Sequence, residues 1–194
     1  MAGNSSRFAK AGYTKPKYML ELCGNSVLEH VLLGISAYFE EQDFLFICRK
    51  DHEAETYVKE TCKKLGIRSF TVVVLDRATE GQAETVYLGM QQQAVAGDTA
   101  VTIFNIDTFR PNFELPVVAT NADGYLEVFV GEGDNWSFVE PGEEQKVLRT
   151  TEKDPISNLC STGLYYFAKA DSFYKAYEST LSKAAIELQG GERY

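Results

Sequence analysis

The sequence predicts an α/β protein whose mostly parallel sheet is covered by helices on both faces and gives way, toward the C-terminus, to a mixed-strand region. Three observations carry this. Over the first half, short apolar runs alternate with helix-period segments. Beyond Phe113 the segments become short and alternating, divided by turn signals at Asp123-Gly124, Gly131 to Asp134 and Pro141-Gly142. The chain of 194 residues is 44% hydrophobic, enough to bury a sizeable core within a single domain spanning 1–194.

The elements follow in order. Ser26 to Phe39 reads as a helix, because Val27, Leu28, Val31, Leu32 and Ile35 form an apolar stripe. Asp43 to Cys48 is a short apolar run suited to a buried strand. Residues 51 to 65 are charged and periodic, a surface helix ending at Gly66. Phe70 to Leu75 is a second strand, 82 to 94 a helix, and Thr99 to Ile106 a third strand. Tyr125 to Val130, Trp136 to Val139, Lys146 to Thr151 and Ser161 to Phe167 follow as strands, and Asp171 to Leu188 as a closing helix.

Charge narrows the partners. The chain carries 19 Lys and Arg against 28 Asp and Glu, a net −9, yet Arg7, Lys10, Lys15 and Lys17 cluster at its start. A local basic site on an acidic body suits a small anion such as a nucleotide and argues against nucleic acid, which wants a broad basic face. Cys23, Cys48, Cys62 and Cys160 have no C-x-x-C pairing and read as small buried hydrophobes in a reducing compartment. No apolar run of membrane-spanning length and no signal peptide occurs, so the expectation is a cytoplasmic chain without membrane association.

Four segments carry candidate chemistry. Ala2-Gly3-Asn4-Ser5-Ser6-Arg7 is a small-residue loop whose N–H groups can face an anion, with Lys17 adding charge after Pro16. It lacks the G-K-[ST] ending of a Walker loop, and alone it is also an ordinary turn. Thr79-Glu80-Gly81-Gln82-Ala83 lies between a strand and a helix, where a plain helix start is the simplest reading. Asn105-Ile106-Asp107 ends an apolar strand, placing a carboxylate where ligands bind in α/β crevices, although an Asp there also caps turns. Glu152-Lys153-Asp154-Pro155 precedes Ser161-Thr162-Gly163-Leu164-Tyr165, a charged turn and an aromatic strand. His30 and His52 read as surface or helix residues, and Trp136 as packing.

Taken in order, these segments resemble the nucleotidylyltransferases that activate sugar phosphates. The fingerprint is a G-x-G-[ST]-R loop (Gly3 to Arg7), a P-K pair (Pro16-Lys17) and a Gly before a helix (Gly24, then Leu28-Glu29-His30). The second loop glycine is Ser5 here, which keeps an N–H but loses freedom at positive φ. The resemblance covers nearly the whole chain. It implies a three-layer, Rossmann-like fold and transfer of a nucleoside monophosphate from an NTP to a sugar 1-phosphate or similar small phosphorylated acceptor, releasing pyrophosphate. It also implies roles. Ala2, Gly3, Asn4, Ser5 and Ser6 would hold phosphates, with Arg7 and Lys17 catalytic. Gly81 and Gln82 would touch the base, and Asp107 would hold Mg²⁺. Glu152 and Lys153 would take the acceptor's hydroxyls and phosphate, with Thr162 and Gly163 lining its pocket. A homo-oligomer is compatible with it, and bacterial surface-polysaccharide precursor synthesis is the setting it suggests. Family members begin with a strand before the loop and continue past a Gly-Glu-x-Tyr segment like Gly191 to Tyr194. The expectation is therefore a chain truncated at both ends, with its first strand missing. Two alternatives stay open: a degenerate homologue that binds nucleotide without turnover, and a glycosyltransferase of the same broad fold, for which the usual D-x-D is absent.

Overall fold

A computed structural model describes residues 1, 8, 10–50 and 53–181. The chain divides into two compact units. One comprises Met1–Val95 with Asn105–Pro116; the other comprises Ala96–Phe104 and the chain from Val117. Strands and helices of both units confirm the α/β class.

In the first unit, β1 (Glu21–Leu22) and β2 (Asn25–Ser26) form a small hairpin. Its turn residues Cys23 and Gly24 both have positive φ, 51° and 84°, as a two-residue hairpin turn requires. That turn leaves Cys23 exposed, a correction to its reading as a buried hydrophobe. Cys48, Cys62 and Cys160 are buried, and burial pushes the Cys62 thiol up to about 11.

Helix α1 (Val27–Gly34) starts on a capping box. Ser26 Oγ accepts from the Glu29 N–H at 3.2 Å, and the Glu29 carboxylate accepts from the Ser26 N–H at 2.6 Å. Lys64 lies 2.5 Å from the same carboxylate, so a nearly buried acid is fully partnered. The hydrogen bond from Lys64, then that from the Ser26 backbone, holds Glu29 below its ordinary carboxylate range. Leu28, Val31, Leu32 and Ile35 are buried, as their spacing predicts. The α-helix nevertheless stops at Gly34, and a 3-10 turn covers Ser36–Tyr38. The physical reason lies in a distant loop. Phe113 N–H donates to the Gly34 carbonyl at 2.8 Å, and a Cβ at Gly34 would stand 2.5 Å from the Arg110 carbonyl oxygen.

Strand β3 (Asp43–Arg49), helix α2 (Ala54–Leu65) and strand β4 (Ser69–Leu75) form the expected parallel unit. The ladder runs unbroken from Asp43↔Ser69 to Arg49↔Leu75. Helix α2 buries Ala54, Val58, Thr61 and Cys62, and Gly66 closes it at φ 76°. Helix α3 (Gln82–Gln92) packs so closely that a Cβ on Gly89 would fall 2.3 Å from Ile47 Cδ1. Ile47, Val73 and Leu75 form the core here, with Leu45 and Leu88 against them.

The second unit is built on β9 (Leu159–Phe167), which buries Cys160, Ser161, Gly163, Leu164 and Tyr166. Every ladder in its sheet is antiparallel. One edge of β9 pairs with β6 (Gly124–Val130). The other pairs with β5 (Val101–Ile103) near the C-terminal end of β9 and with β7 (Ser137–Pro141) at Phe138↔Cys160. Strand β8 (Val147–Glu152) pairs with β7 and is largely exposed. Short helix α4 (Val117–Thr120) precedes β6, and α5 (Ala170–Leu181) buries Ala170, Phe173 and Tyr177.

The apolar run Thr99 to Ile106 yields only a three-residue strand, antiparallel to β9, where the strand–helix alternation predicts a longer parallel one. Direction is set by the partner, and that partner lies far along the chain.

Candidate functional site

In the first unit the polar side chains of interest sit on turns and at the start of a helix. Lys17 opens a 3-10 turn after Pro16, and Asp107 lies in the turn after β5. Although 90 residues apart in sequence, Lys17 Nζ donates to Asp107 Oδ2 at 2.5 Å. Both side chains remain partly accessible, 31% and 42%, so the pair is worth little as a stability device. Its interest is chemical. It places a cation and an anion at one accessible point beyond a strand's carboxyl end.

The segment between β4 and α3 is held by its own hydrogen bonds. Glu84 takes the Glu80 N–H and the Arg77 guanidinium, each at 2.5 Å. The Thr85 hydroxyl donates to the Gly81 carbonyl at 2.9 Å, so the Thr79 hydroxyl, 2.6 Å away, donates to Thr85. Gln82, the first residue of α3, donates from Nε2 to Asn105 Oδ1 at 2.8 Å. Gly81 and Gln82 are therefore fixed relative to the loop that carries Asp107.

Among the described residues no group of three or more His, Cys, Asp or Glu side chains gathers in a way that could hold a metal. Asp107 brings one carboxylate to this turn. That suits Mg²⁺, which commonly takes one or two protein carboxylates and fills its octahedron with phosphate oxygens and water.

In the second unit, Glu152 faces Ser137 across the β7–β8 ladder, and Ser137 Oγ donates to Glu152 Oε2 at 2.5 Å. Lys153 Nζ is 3.3 Å from Glu152 Oε1, and its N–H donates to the Trp136 carbonyl at 2.9 Å. Lys153 adopts φ 56°, a left-handed conformation at the end of the strand. Thr162 and Gly163 lie in a bulge. Leu126↔Tyr165 and Val128↔Ser161 bracket one residue of β6 against three of β9. Gly163, at φ 81°, permits it, and Thr162 donates to both the backbone carbonyl and the carboxylate of Glu127.

The structure thus brings Lys17 to Asp107 and Glu152 to Lys153, and it seats Thr162 beside Gly163. Ala2, Gly3, Asn4, Ser5, Ser6 and Arg7 lie outside the described residues, as does His52. His30 Nε2 is 2.6 Å from the Leu22 carbonyl, with its ring 5.3 Å from Phe109. Trp136, read from sequence as packing, is 42% exposed, its ring edge-on to Phe129 at 5.1 Å. Sequence reasoning missed Glu127 and Ser137 as partners, and it missed the bond between Gln82 and Asn105. For Ser137 a signal existed, because pairing across a hairpin follows from its register.

The α/β scaffold of these units is that of the nucleotidyltransferase fold. The crystal structure of the nucleoside-diphosphate-sugar pyrophosphorylase from Vibrio cholerae RC9 is 48% identical, with a TM-score of 0.94 over 100% of this chain and 82% of that one. The chain belongs to that family, among the sugar-phosphate nucleotidyltransferases. More distant structures share the fold. An inositol-1-phosphate CTP transferase from T. maritima is 14% identical, with a TM-score of 0.69 over 92% of this chain and 71% of that one. A UTP-bound UGPase from Acinetobacter baumannii is 16% identical, with a TM-score of 0.64 over 92% and 75%. No protein-family model and no curated protein matches the chain. Among the described residues no helix is long and apolar enough to cross a membrane.

Proposed function

We propose that the protein transfers a nucleoside monophosphate from an NTP to a sugar 1-phosphate or similar small phosphorylated acceptor, releasing pyrophosphate. The observation that carries the reading is the Lys17–Asp107 pair, a cation and a carboxylate drawn together from opposite ends of the first unit's sequence. Family membership supports the reaction class.

The acceptor phosphate is already ionised, so attack on the α-phosphorus needs no general base. What the reaction needs is positioning and charge compensation. Lys17 reaches the α-phosphate, where negative charge builds as the acceptor oxygen approaches. Arg7 and the loop from Ala2 to Ser6 take the outer phosphates. Asp107 is the residue that would hold Mg²⁺, which when bound offsets charge on the phosphates and the departing pyrophosphate. Gly81 and Gln82 contact the base. Lys153 anchors the acceptor's phosphate, Glu152 accepts from its hydroxyls, and Thr162 and Gly163 shape that pocket.

Pyrophosphate release measured with Mg²⁺ across a panel of NTPs and sugar phosphates tests this. At least one pair should turn over, and turnover should stop with EDTA. Nucleotide binding with no pyrophosphate from any pair would sink the reading and leave a non-catalytic nucleotide binder.

A further inference from the structure

Glu152 and Lys153 are adjacent in the chain and already paired, with Lys153 Nζ 3.3 Å from Glu152 Oε1. In nucleotidyl transfer they have different work, the carboxylate on the acceptor's hydroxyls and the ammonium on its phosphate. An ion pair closed on itself opposes both, because each charge is satisfied by its neighbour. Ser137 supplies the carboxylate with a second partner. It faces Glu152 across the β7–β8 ladder, and its hydroxyl donates to the other oxygen, Oε2, at 2.5 Å. Among the described residues that hydroxyl makes no other hydrogen bond.

The two partners differ in how firmly they are held. The Lys153 side chain is 46% exposed and carries its charge on a long, rotatable stem. Ser137 has a single side-chain torsion. Its strand is tied on both sides, to β8 at Ser137↔Glu152 and to β9 at Phe138↔Cys160. The lysine can therefore leave for a phosphate while the serine keeps the carboxylate in place. The Glu152 side chain is only 11% exposed, so water has little access to do the same. A carboxylate only accepts, at about four lone-pair positions, so the bond from Ser137 leaves it able to accept from a ligand's hydroxyls. Fixing a long side chain before the ligand arrives removes an ordering cost from binding.

We propose that Ser137 is a positioning residue, which holds the Glu152 carboxylate on the sheet for the acceptor's hydroxyls while Lys153 turns to the acceptor's phosphate. This rests on the nucleotidyl-transfer reading for the presence of an acceptor at Glu152 and Lys153. Ser137 acts through Glu152, so its contribution disappears when the carboxylate is removed, and it does not extend to the nucleotide.

The test is a double-mutant cycle on the full chain. Glucose 1-phosphate, galactose 1-phosphate and N-acetylglucosamine 1-phosphate are titrated by calorimetry, beside pyrophosphate release with Mg²⁺ and each of ATP, GTP, CTP, UTP and dTTP. Ser137→Ala should weaken the tightest-binding sugar phosphate by roughly five- to tenfold. It should raise KM for that acceptor by a similar factor and leave kcat and the nucleotide KM within about twofold. Ser137→Thr keeps a hydroxyl and should restore most of the affinity. In a Glu152→Ala background, adding Ser137→Ala should change affinity by less than about twofold. Where Glu152→Ala binds too weakly for calorimetry, kcat/KM for the acceptor completes the cycle. A variant that merely loosens the fold loses the same factor in both backgrounds and weakens the nucleotide too. Equal losses in the two backgrounds overturn the proposal, as does full affinity in Ser137→Ala or a Ser137→Thr no better than Ser137→Ala. Sugar-phosphate binding without pyrophosphate release defeats the transfer reading, and the calorimetric cycle still decides the role of Ser137. Binding of none of the three by the wild type defeats both.

Discussion

In the first unit the candidate residues sit on turns and at a helix start, whereas in the second they sit within the strands or at their ends. Lys17 meets Asp107, and Gln82 meets Asn105, across long sequence separations through loops. Glu152 meets Ser137, and Thr162 meets Glu127, through sheet register. Loops let charged groups converge without tying each to a core neighbour. Register does the opposite: slipping a strand by one residue turns its whole set of side chains to the other face. Damage to packing should therefore reach the second unit's candidate residues directly, while the first unit's can be removed at small cost to folding.

The largest effect on that contrast should come from Phe138→Ala. Phe138 is 1% exposed and pairs with Cys160 beside Ser137, so its loss should cost about 3–5 kcal/mol by urea unfolding. It should also weaken acceptor binding through displaced register. Intact acceptor affinity in a folded variant would break the comparison.

Lys17→Ala comes next. Turnover should fall roughly 100- to 1,000-fold, about 3–4 kcal/mol of barrier, with a smaller rise in KM for the nucleotide. The melting temperature should hardly move, since an exposed ion pair contributes about 1 kcal/mol at most. Unchanged kcat would remove Lys17 from the chemistry.

Ser26→Ala should cost about 1 kcal/mol by breaking the capping box of α1. Its partner Glu29 gives a pH signature. A carboxyl held below its unfolded value of 4.5 stabilises the fold above that value. That stability is lost as pH falls through the lower folded value. Urea midpoints between pH 7 and 3 should thus fall less steeply in Glu29→Gln than in the wild type.

Smallest of all, Leu148→Thr on exposed β8 should change stability by no more than about 0.5 kcal/mol. A larger loss by thermal melting would mean that the outer strand is covered in solution.

Much of the fold was legible from local signals. Apolar runs marked β3 and β4, the stripe from Val27 to Ile35 marked α1, and Gly66 marked the end of α2. What was not legible depends on contacts remote in sequence. The stop of α1 at Gly34 depends on Arg110 and Phe113, and the direction of β5 depends on β9. The bulge at Thr162-Gly163 exists only against Glu127. Candidate residues were legible by type and order. Their partners were not, because Asn105 carries no mark that distinguishes a residue holding Gln82 from one capping a turn.

The left-handed backbone at Lys153 limits how this position can change. Glycine would relax the backbone but discard the ammonium. Asparagine would tolerate the conformation and likewise lose the cation. Arginine would keep the charge and the strain, and a β-branched residue would deepen the strain while giving nothing back. No single substitution satisfies both demands, so a change of charge at this position is easiest when its neighbours change with it.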